Sequence, residues 1–131
     1  SRGLGDVYKR QGVDSTDSSD AALEAAVKLA HEYNTIVCVT GKTDYVTDGK
    51  EILSCTGGSV KATLVVGTGC SLSAMVAAFV AQTEHPLEAV ISACALAKRA
   101  AQQAAGVARG PGSFAVAYID ALNLLQAKDF Y

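Results

Sequence analysis

The sequence lacks the aromatic side chains and the positive charge that nucleic-acid-binding proteins use. It has no tryptophan, and aromatic residues make up only 6% of its 131 residues. Its 11 lysines and arginines are outnumbered by 13 aspartates and glutamates, for a formal net charge of −2. Base stacking needs aromatic platforms, and binding to a phosphate backbone needs clustered positive charge. The composition therefore argues against a nucleic-acid partner, although backbone amides can still hold a small phosphate-bearing ligand.

The sequence also lacks closely paired cysteines. Its four cysteines are Cys38, Cys55, Cys70 and Cys94, and none of them form a Cys-x-x-Cys pair. Zinc ribbons and thioredoxin-like motifs depend on that spacing. Cys38 and Cys94 lie in apolar runs and no secretory signal is present, which argues against a disulfide framework. The sequence therefore predicts a reducing, cytoplasmic location.

Long hydrophobic runs are missing as well. A transmembrane helix needs about 18 or more consecutive apolar residues, and the run from Ala74 to Ala81 is too short. The apolar fraction is nevertheless 50%, which excludes wholesale disorder. A chain of this length is sufficient for one folded domain. Because no apolar run is long enough to cross a bilayer, no membrane partner is expected.

The first eleven residues differ from the rest because they show no helical or strand period. Residues 1–11 read Ser-Arg-Gly-Leu-Gly-Asp-Val-Tyr-Lys-Arg-Gln. This segment resembles a sequencing or cloning scar, with an ordinary polar tail as the alternative. We therefore predict that residues 12–131 carry the fold.

Hydrophobic periodicity and turn residues predict a helix, a strand and a hairpin in the first half. The helix runs from a cap at Asp17 or Ser18 to Tyr33, and its buried face is expected to carry Ala22, Ala26, Leu29 and Ala30. The β-branched run 35–40 predicts a strand buried on both faces. Asp48-Gly49 predicts the turn of a hairpin between 44–47 and 50–55. Residues 63–66 are predicted to be extended.

Three helices are predicted in the second half. The first follows Gly67-Thr68-Gly69-Cys70 directly and ends near Gln82. The second starts around Pro86 and runs to about Ala105, with Gly106 as its C-cap. The third is predicted to be capped by Ser113 and to end near Ala127. This order of elements places the chain in the α/β class.

The turn Gly67-Thr68-Gly69-Cys70 is the strongest candidate for a functional site. Extended residues lead into a glycine-rich turn, and a helix begins directly after it. The first helical turn leaves amide N–H groups without intrahelical partners, and the helix dipole adds positive potential there. Gly67 and Gly69 are expected to adopt positive φ and to let a ligand approach the backbone. Such a turn is an anion hole suited to a transferring phosphate, or a tight helix cap without a ligand. It is not a Walker A loop, because no Lys-Ser/Thr follows.

Several motifs, taken in order, resemble those of the hydroxyethylthiazole kinases, within the ribokinase-like superfamily. Residues 67–74, Gly-Thr-Gly-Cys-Ser-Leu-Ser-Ala, look like the family signature. Other segments that resemble the family are Gly-Val-Asp-Ser (12–15), the Val-Thr-Gly that ends the strand (39–41), Asp-Tyr-Val-Thr-Asp-Gly (44–49), Gly-Pro-Gly-Ser-Phe (110–114) and Asp-Ala-Leu (120–122). The resemblance covers nearly everything after Gln11, and the ordered combination is much more specific than any one motif.

The resemblance implies a fold and an activity. The fold is the C-terminal portion of a ribokinase-like domain, a partial and mostly parallel sheet with a hairpin, flanked by helices. The activity is transfer of the ATP γ-phosphate to the hydroxyl of 4-methyl-5-(2-hydroxyethyl)thiazole in thiamine biosynthesis or salvage. ATP and Mg²⁺ are implied, as is a homotrimer for the full-length family. The family's N-terminal half, which supplies part of the thiazole pocket and an acidic motif for magnesium, is missing here. We therefore expect this chain alone to be inactive or very weak.

Family roles transfer only to matching positions. The resemblance implies that Thr40 contacts the nucleotide, that Gly67 lines the thiazole alcohol site, and that the turn 67–70 forms the anion hole. Cys70 stands where most ribokinase-like kinases have an aspartate that activates the substrate hydroxyl. A thiolate can accept a proton, but phosphoryl transfer depends mainly on positioning and charge neutralisation. We therefore favour proximity of Cys70 to the reacting centre over a strict base role.

The remaining chemically capable residues are weaker candidates. Val66 departs from the family, which usually has threonine there, and so removes a hydroxyl beside the phosphate site. For the others an ordinary structural role is favoured: a turn for Asp14, a solvated loop for Arg109, packing for Cys55, a hairpin for the Asp44 and Asp48 pair, and the surface for His31 and His85. No metal ligand is predicted.

Three other functions stay open from the residues. The chain could be a non-catalytic structural or interaction fragment. It could be another ribokinase-like small-molecule kinase, although cysteine in place of aspartate argues against this. It could also be a cysteine-nucleophile enzyme using Cys70, although no histidine lies near Cys70 in the sequence.

Overall fold

The computed structural model describes residues 19–126, which form helices around a three-stranded sheet. The α-helices are α1 (Ser19–Tyr33), α2 (Thr68–Val80), α3 (Pro86–Val107) and α4 (Pro111–Leu124). The strands are β1 (Val37–Val39), β2 (Thr43–Thr47) and β3 (Ile52–Thr56), and a 3-10 helix spans Val60–Leu64. The predicted α/β class, hairpin and flanking helices are confirmed. The predictions for residues 1–11, for the motif 12–15 with Asp14 and for the cap at Asp17 or Ser18 lie outside the described residues. The last helix ends at Leu124 and not near Ala127, because the backbone of Leu125 is extended.

The sheet has the order β1-β2-β3, and both pairs of strands are antiparallel. Val37 pairs with Thr47 across the first pair, and Thr47 pairs with Ile52 across the second. Only residues 40–42 join β1 to β2, and a connection this short can only join antiparallel neighbours. The described sheet therefore differs from the mostly parallel sheet predicted for this portion of the fold. β1 is also only half-buried, not buried on both faces.

The hairpin turn is stabilised by the side chains of Thr47 and Asp48. Asp48 Oδ1 accepts the backbone N–H groups of Lys50 and Glu51, each at 2.8 Å. These hydrogen bonds favour the charged carboxylate and so hold the pKa of Asp48 below its ordinary value. The bond from the Glu51 N–H has the larger effect. Thr47 Oγ1 accepts the N–H of Gly49 and donates to the Glu51 carbonyl. The predicted turn at Asp48-Gly49 is thus present, with an Asx arrangement inside it.

Helix α1 packs beside β1 and β2 and ends at a left-handed residue. Ala26 and Ala30 are buried, as the periodicity predicted, but Leu29 is 47% exposed and does not belong to the buried face. Asn34 has φ of 46°, and the N–H of Thr35 bonds the Ala30 carbonyl at 3.0 Å. Asparagine tolerates this conformation better than most residues, so it ends the helix.

Helix α3 lies at the centre and contributes side chains to two hydrophobic clusters. Its first half packs under the sheet, where the buried residues are Val46, Leu87, Val90 and Cys94. Its second half packs on α4, where the buried residues are Ala100, Ala101, Ala104, Phe114, Tyr118 and Ala121. Alanines on α3 let the large Phe114 ring reach the helix surface and become fully buried. None of the helices within residues 19–126 has the length and apolar character required to span a bilayer.

The segment before the glycine-rich turn is helical, so the prediction of an extended 63–66 is wrong. Ser59 Oγ accepts the N–H of Lys61 at 3.2 Å and starts the 3-10 helix. Lys61 then reaches across the fold, and its Nζ donates to the carbonyls of Ala105 and Ala108 at 3.1 and 3.0 Å. Of the predicted segment, Val65 keeps extended backbone angles.

Two predicted helix caps are also wrong. Gly106 lies inside α3, which continues to Val107, because the Lys61 ammonium binds the carbonyls at the helix end. The cap is Ala108, whose N–H bonds the Ala104 carbonyl at 2.9 Å. Helix α4 starts at Pro111 and not after Ser113. Ser113 lies in the first turn of α4, and its hydroxyl accepts the N–H groups of Arg109 and Gly110, which directly precede the helix.

Candidate functional site

The turn at Gly67 opens helix α2, and three amide groups of this turn have no partner among the described residues. Gly67 has φ of 102° and ψ of −9°, a left-handed conformation that favours glycine. The first helical hydrogen bond runs from the N–H of Ser71 to the Gly67 carbonyl at 2.8 Å. Within residues 19–126 the N–H groups of Thr68, Gly69 and Cys70 meet no acceptor. They point beyond the first turn, where the helix dipole adds positive potential.

The space in front of this turn is open. A Cβ atom placed on Gly67 or Gly69 would meet no protein atom within 4 Å. The expected positive φ is present at Gly67 but not at Gly69, which has helical geometry. The packing of the described residues therefore does not require a glycine at position 69, whereas an anion approaching the amides would have room there.

Hydrogen bonds fix the start of α2 against its neighbours. Thr68 Oγ1 donates to the Ala62 carbonyl at 3.3 Å, which ties the turn to the 3-10 helix. Ser71 Oγ donates to the Thr68 carbonyl at 2.8 Å. Burial raises the pKa of Tyr118, and the nearby Ser71 opposes that shift. The Thr68 hydroxyl is thus engaged within the protein, so Thr68 can offer a ligand its amide.

Cys70 is exposed and carries a free thiol at the third helical position. No side chain of the described region hydrogen-bonds its sulfur or forms an ion pair with it. A cysteine nucleophile needs a base within reach, and His31 and His85 lie elsewhere, beside Gly49 and just before α3. The arrangement does not support the alternative of a Cys70-dependent hydrolase.

Thr40 lies at the end of β1, exposed, next to a loop held by a buried ion pair. Lys98 Nζ from α3 lies 3.2 Å from Asp44 Oδ1 and donates to the carbonyls of Gly41 and Lys42 at 2.9 and 3.2 Å. Asp44 Oδ1 also accepts the N–H of Gly41 at 2.8 Å. These bonds fix the backbone directly after Thr40. No hydrogen bond of the described residues links Thr40 to the Gly67 turn, so the two parts of the predicted site stay on separate elements.

The described residues do not offer a site for magnesium. They contain no cluster of three or more histidine, cysteine, aspartate or glutamate side chains placed to hold a metal ion. Asp44 is paired with Lys98, and Asp48 is occupied by backbone N–H groups in the hairpin turn. Arg109 is exposed, and its described bond is made by its backbone. The implied metal therefore does not fit this part of the chain.

Two cavities lie away from the candidate residues. One of about 760 Å³ lies between α1 and the hairpin and is lined by Leu23, Val27, Lys28, His31, Gly49 and Ile52, among others. A second of about 510 Å³ lies where α2 turns into α3 and includes Phe79, Thr83 and His85. Neither includes Thr40 or the turn 67–70, so these cavities do not form an enclosed substrate pocket around the unpartnered amides.

Sequence reasoning missed the role of Lys98. This lysine interrupts an alanine-rich stretch, and it follows the apolar Cys94 by four residues, which places both on one face of a helix. A lone cation on a buried helix face requires a buried partner. That signal predicts an acidic partner inside the fold for Lys98, but it does not identify Asp44 as that partner.

Comparisons with known proteins agree on one family. The model of the hydroxyethylthiazole kinase family matches residues 4–128. The chain is 51% identical over 119 residues to hydroxyethylthiazole kinase from Citrobacter koseri, covering 91% of this chain and 45% of the relative. It is 54% identical over 112 residues to that from Klebsiella pneumoniae strain 342, covering 86% of this chain and 43% of the relative.

A solved structure is similar as well. The hydroxyethylthiazole kinase protein from Pyrococcus horikoshii OT3 superposes with a TM-score of 0.79 at 39% sequence identity. The match covers 83% of this chain and 42% of that structure. The chain thus spans less than half the length of the curated relatives and of the structure that it matches.

Proposed function

Because the chain belongs to the hydroxyethylthiazole kinase family, we propose that its activity is phosphorylation of the hydroxyl of 4-methyl-5-(2-hydroxyethyl)thiazole by ATP. The observation that carries the proposal is the turn 67–70, where three amides without described partners face open space at a helix N-terminus. Such a turn suits the charge that develops on a transferring phosphoryl group. Residues 12–131 would form the C-terminal part of the kinase domain, with residues 1–11 as a tail or scar.

In this proposal the amides of Thr68, Gly69 and Cys70 bind oxygens of the transferring phosphate. The substrate hydroxyl oxygen forms a bond to the γ-phosphorus, the bond from that phosphorus to the bridging oxygen breaks, and ADP leaves. Most of the rate enhancement comes from alignment and from neutralisation of charge. The amides are fixed in advance by the bonds of Thr68 and Ser71, so little reorganisation is needed when the charge develops.

Three side-chain or backbone roles follow from the same proposal. Cys70 lies beside the acceptor hydroxyl, where its thiolate can take the hydroxyl proton, although proximity matters more than basicity. Gly67 lines the thiazole alcohol site. Thr40 contacts the nucleotide from the end of β1, and the Lys98–Asp44 pair fixes the loop behind it.

Magnesium, a homotrimer and a cytoplasmic location belong to the proposal by family membership. The metal would neutralise phosphate charge when bound, and its ligands would come from outside the described residues. Association is supported by large apolar side chains that are exposed in the described region, namely Val60, Leu64, Val66, Val107, Val116, Ile119 and Leu124. Such apolar exposure is typical of surfaces that pack on further protein.

The chain alone would transfer phosphate weakly or not at all. The two cavities described above do not include the turn, residues 19–126 contain no metal-binding cluster, and the chain spans less than half the length of its relatives. The same observations favour a second function, a non-catalytic fragment of the kinase fold that serves only structure or interaction.

Titration calorimetry separates the two functions. The folded chain, checked by circular dichroism, is titrated with ATP and Mg²⁺, with and without the thiazole alcohol. Gly69→Leu should weaken binding at least about tenfold, because its side chain would fill the space before the amides. Gly106→Leu is the matched control, since it is also a helical glycine with no neighbour within 4 Å and lies in α3.

Binding that weakens in Gly69→Leu but not in Gly106→Leu supports the anion hole. A folded chain that binds no ATP, or that binds equally well in both variants, contradicts it and favours the structural fragment. Formation of the thiazole phosphate is measured in parallel, so that binding without turnover is distinguished from kinase activity.

A further inference from the structure

Two thiols from distant parts of the sequence meet under the sheet. Cys38 lies in the middle of β1 and Cys94 lies on α3, and their sulfur atoms are 3.6 Å apart. Both cysteines are free. We propose that Cys38 and Cys94 form a dithiol that hydrogen peroxide oxidises to a disulfide and that a thiol reductant restores. The proposal does not depend on kinase activity.

The two elements that carry the thiols are held in place by other contacts. Cys38 pairs with Val46 of β2, and both pack with Cys94 in the cluster under the sheet. One turn farther along α3, Lys98 binds Asp44 and two carbonyls of the β1–β2 loop. A disulfide requires the sulfur atoms to approach to about 2.05 Å. Rotation of the side chains and a small backbone shift supply that movement, while the surrounding contacts keep the two cysteines as neighbours.

The surroundings assign different roles to the two sulfur atoms. The hydrogen bond between the two thiols lowers the pKa of Cys38. The Lys98 ammonium acts in the same direction, while burial and the Asp44 carboxylate act against it. The same hydrogen bond, together with burial, raises the pKa of Cys94. Cys38 is also half-buried whereas Cys94 is fully buried, so Cys38 is the sulfur that a small oxidant reaches first.

Cys55 lies in the same cluster but does not take part. Burial raises its pKa to about 11, and the nearby Asp44 carboxylate adds to the shift. Its thiol lies 4.0 Å from Asp44 Oδ2, on the strand that pairs with the far side of β2. A protonated thiol is a poor nucleophile. Cys55 and the exposed Cys70 therefore provide internal controls for the reactivity of the pair.

The oxidation proceeds in two balanced steps. The Cys38 thiolate attacks one oxygen of hydrogen peroxide, the O–O bond breaks, and Cys38 becomes a sulfenic acid with release of hydroxide. The Cys94 sulfur then attacks the Cys38 sulfur, the S–O bond breaks, and the S–S bond forms. The proton of Cys94 and the hydroxide of the sulfenic acid leave as water. Two thiols lose two electrons, and one peroxide molecule is reduced to two molecules of water.

Peptide mapping of the whole 131-residue chain tests the assignment. The native chain is treated with hydrogen peroxide, remaining thiols are blocked with N-ethylmaleimide in denaturant, and disulfide-linked peptides are identified by mass. Trypsin leaves Cys70 and Cys94 on one peptide, residues 62–98, so cleavage after Glu84 and Glu88 is used to separate them. We expect a link between Cys38 and Cys94 that dithiothreitol removes.

Variants and an unfolded control decide the outcome. Cys55→Ala and Cys70→Ala should keep the link, whereas Cys94→Ala should lose it and leave a Cys38 sulfenic acid that dimedone traps. The link should form at least about tenfold faster in the folded chain than in urea, where the thiols no longer meet. Equal rates in both states, links distributed evenly among the four cysteines, or no Cys38–Cys94 link overturn the proposal. The rate comparison uses unmodified chain, so it decides even if Cys94→Ala does not fold.

Discussion

Replacement of Lys98 by methionine tests the ion pair and the hydrogen bonds that hold the loop directly after Thr40. Methionine keeps an unbranched stem but removes the ammonium that contacts Asp44 and the carbonyls of Gly41 and Lys42. The side chains of Lys98 and Asp44 are only 11% and 6% exposed. Without the ammonium, the Asp44 carboxylate keeps the N–H of Gly41 and the more distant Cys55 thiol as partners. An uncompensated charge would then remain buried at the start of β2.

Removing one partner of a buried ion pair costs about 3–5 kcal/mol. Domains are stable by only about 5–15 kcal/mol, so we expect Lys98→Met to remove a large fraction of the free energy of unfolding. The assay is urea unfolding at pH 7, followed by far-ultraviolet circular dichroism. The midpoint should fall while the slope stays the same, because the amount of surface exposed on unfolding is unchanged.

Two further variants isolate the ion pair from the loop. Lys42→Met changes an exposed side chain in the same loop and should change stability by less than about 0.5 kcal/mol. Asp44→Asn combined with Lys98→Met removes both charges, and it should be more stable than Lys98→Met alone. A loss below about 1 kcal/mol in Lys98→Met, within the range of exposed pairs, would refute the reasoning. So would a double variant less stable than Lys98→Met.

Three other predictions concern the turns and the core. Gly49→Ala should lower the melting temperature more than Gly67→Ala: both glycines have positive φ, but only at Gly49 would the new Cβ lie 2.6 Å from the backbone nitrogen of His31. Equal losses would contradict the predicted clash. Phe114→Ala should cost about 3–5 kcal/mol in urea unfolding, because the ring is fully buried against α3; a loss under about 1 kcal/mol would disprove its core role. The pKa of Asp48 is lower in the folded chain than in the unfolded chain, so its contribution is present above about pH 4 and is lost as the pH falls through the folded pKa. Asp48→Asn should therefore flatten the decrease in stability below pH 4, and an unchanged slope would argue against the turn hydrogen bonds as its cause.

Features set by neighbouring residues could be predicted from the sequence. Pro86 begins α3 because its fixed φ and missing N–H suit a first helical turn. Asp48-Gly49 forms the hairpin turn because both residues favour that backbone geometry. The helix that starts after Gly67 and the positive φ of that glycine follow from the same local rules. The roles of Thr40, Gly67 and Cys70 in a reaction stay predictions that rest on family resemblance.

Features set by distant residues could not be predicted. The continuation of α3 past Gly106 depends on Lys61, which lies 44 residues before the carbonyl of Ala105 that it binds. The meeting of Cys38 and Cys94 spans 56 residues. Local propensity carries no information about such pairs, and the tertiary contact decides when the two disagree.

The antiparallel order of the described strands could have been expected, since the connection 40–42 leaves no room for a crossover.

Helix α3 couples the unfolding of the two hydrophobic clusters. Val90 and Cys94 belong to one cluster and Ala100 and Ala104 to the other, yet all four lie on a single helix of 22 residues. Separation of α4 would expose the second half of α3 to water, and fraying from that end would propagate toward the residues under the sheet. The two clusters should therefore open in one cooperative event. In native-state hydrogen exchange, amides along the whole of α3 would share one opening free energy, the largest in the described chain.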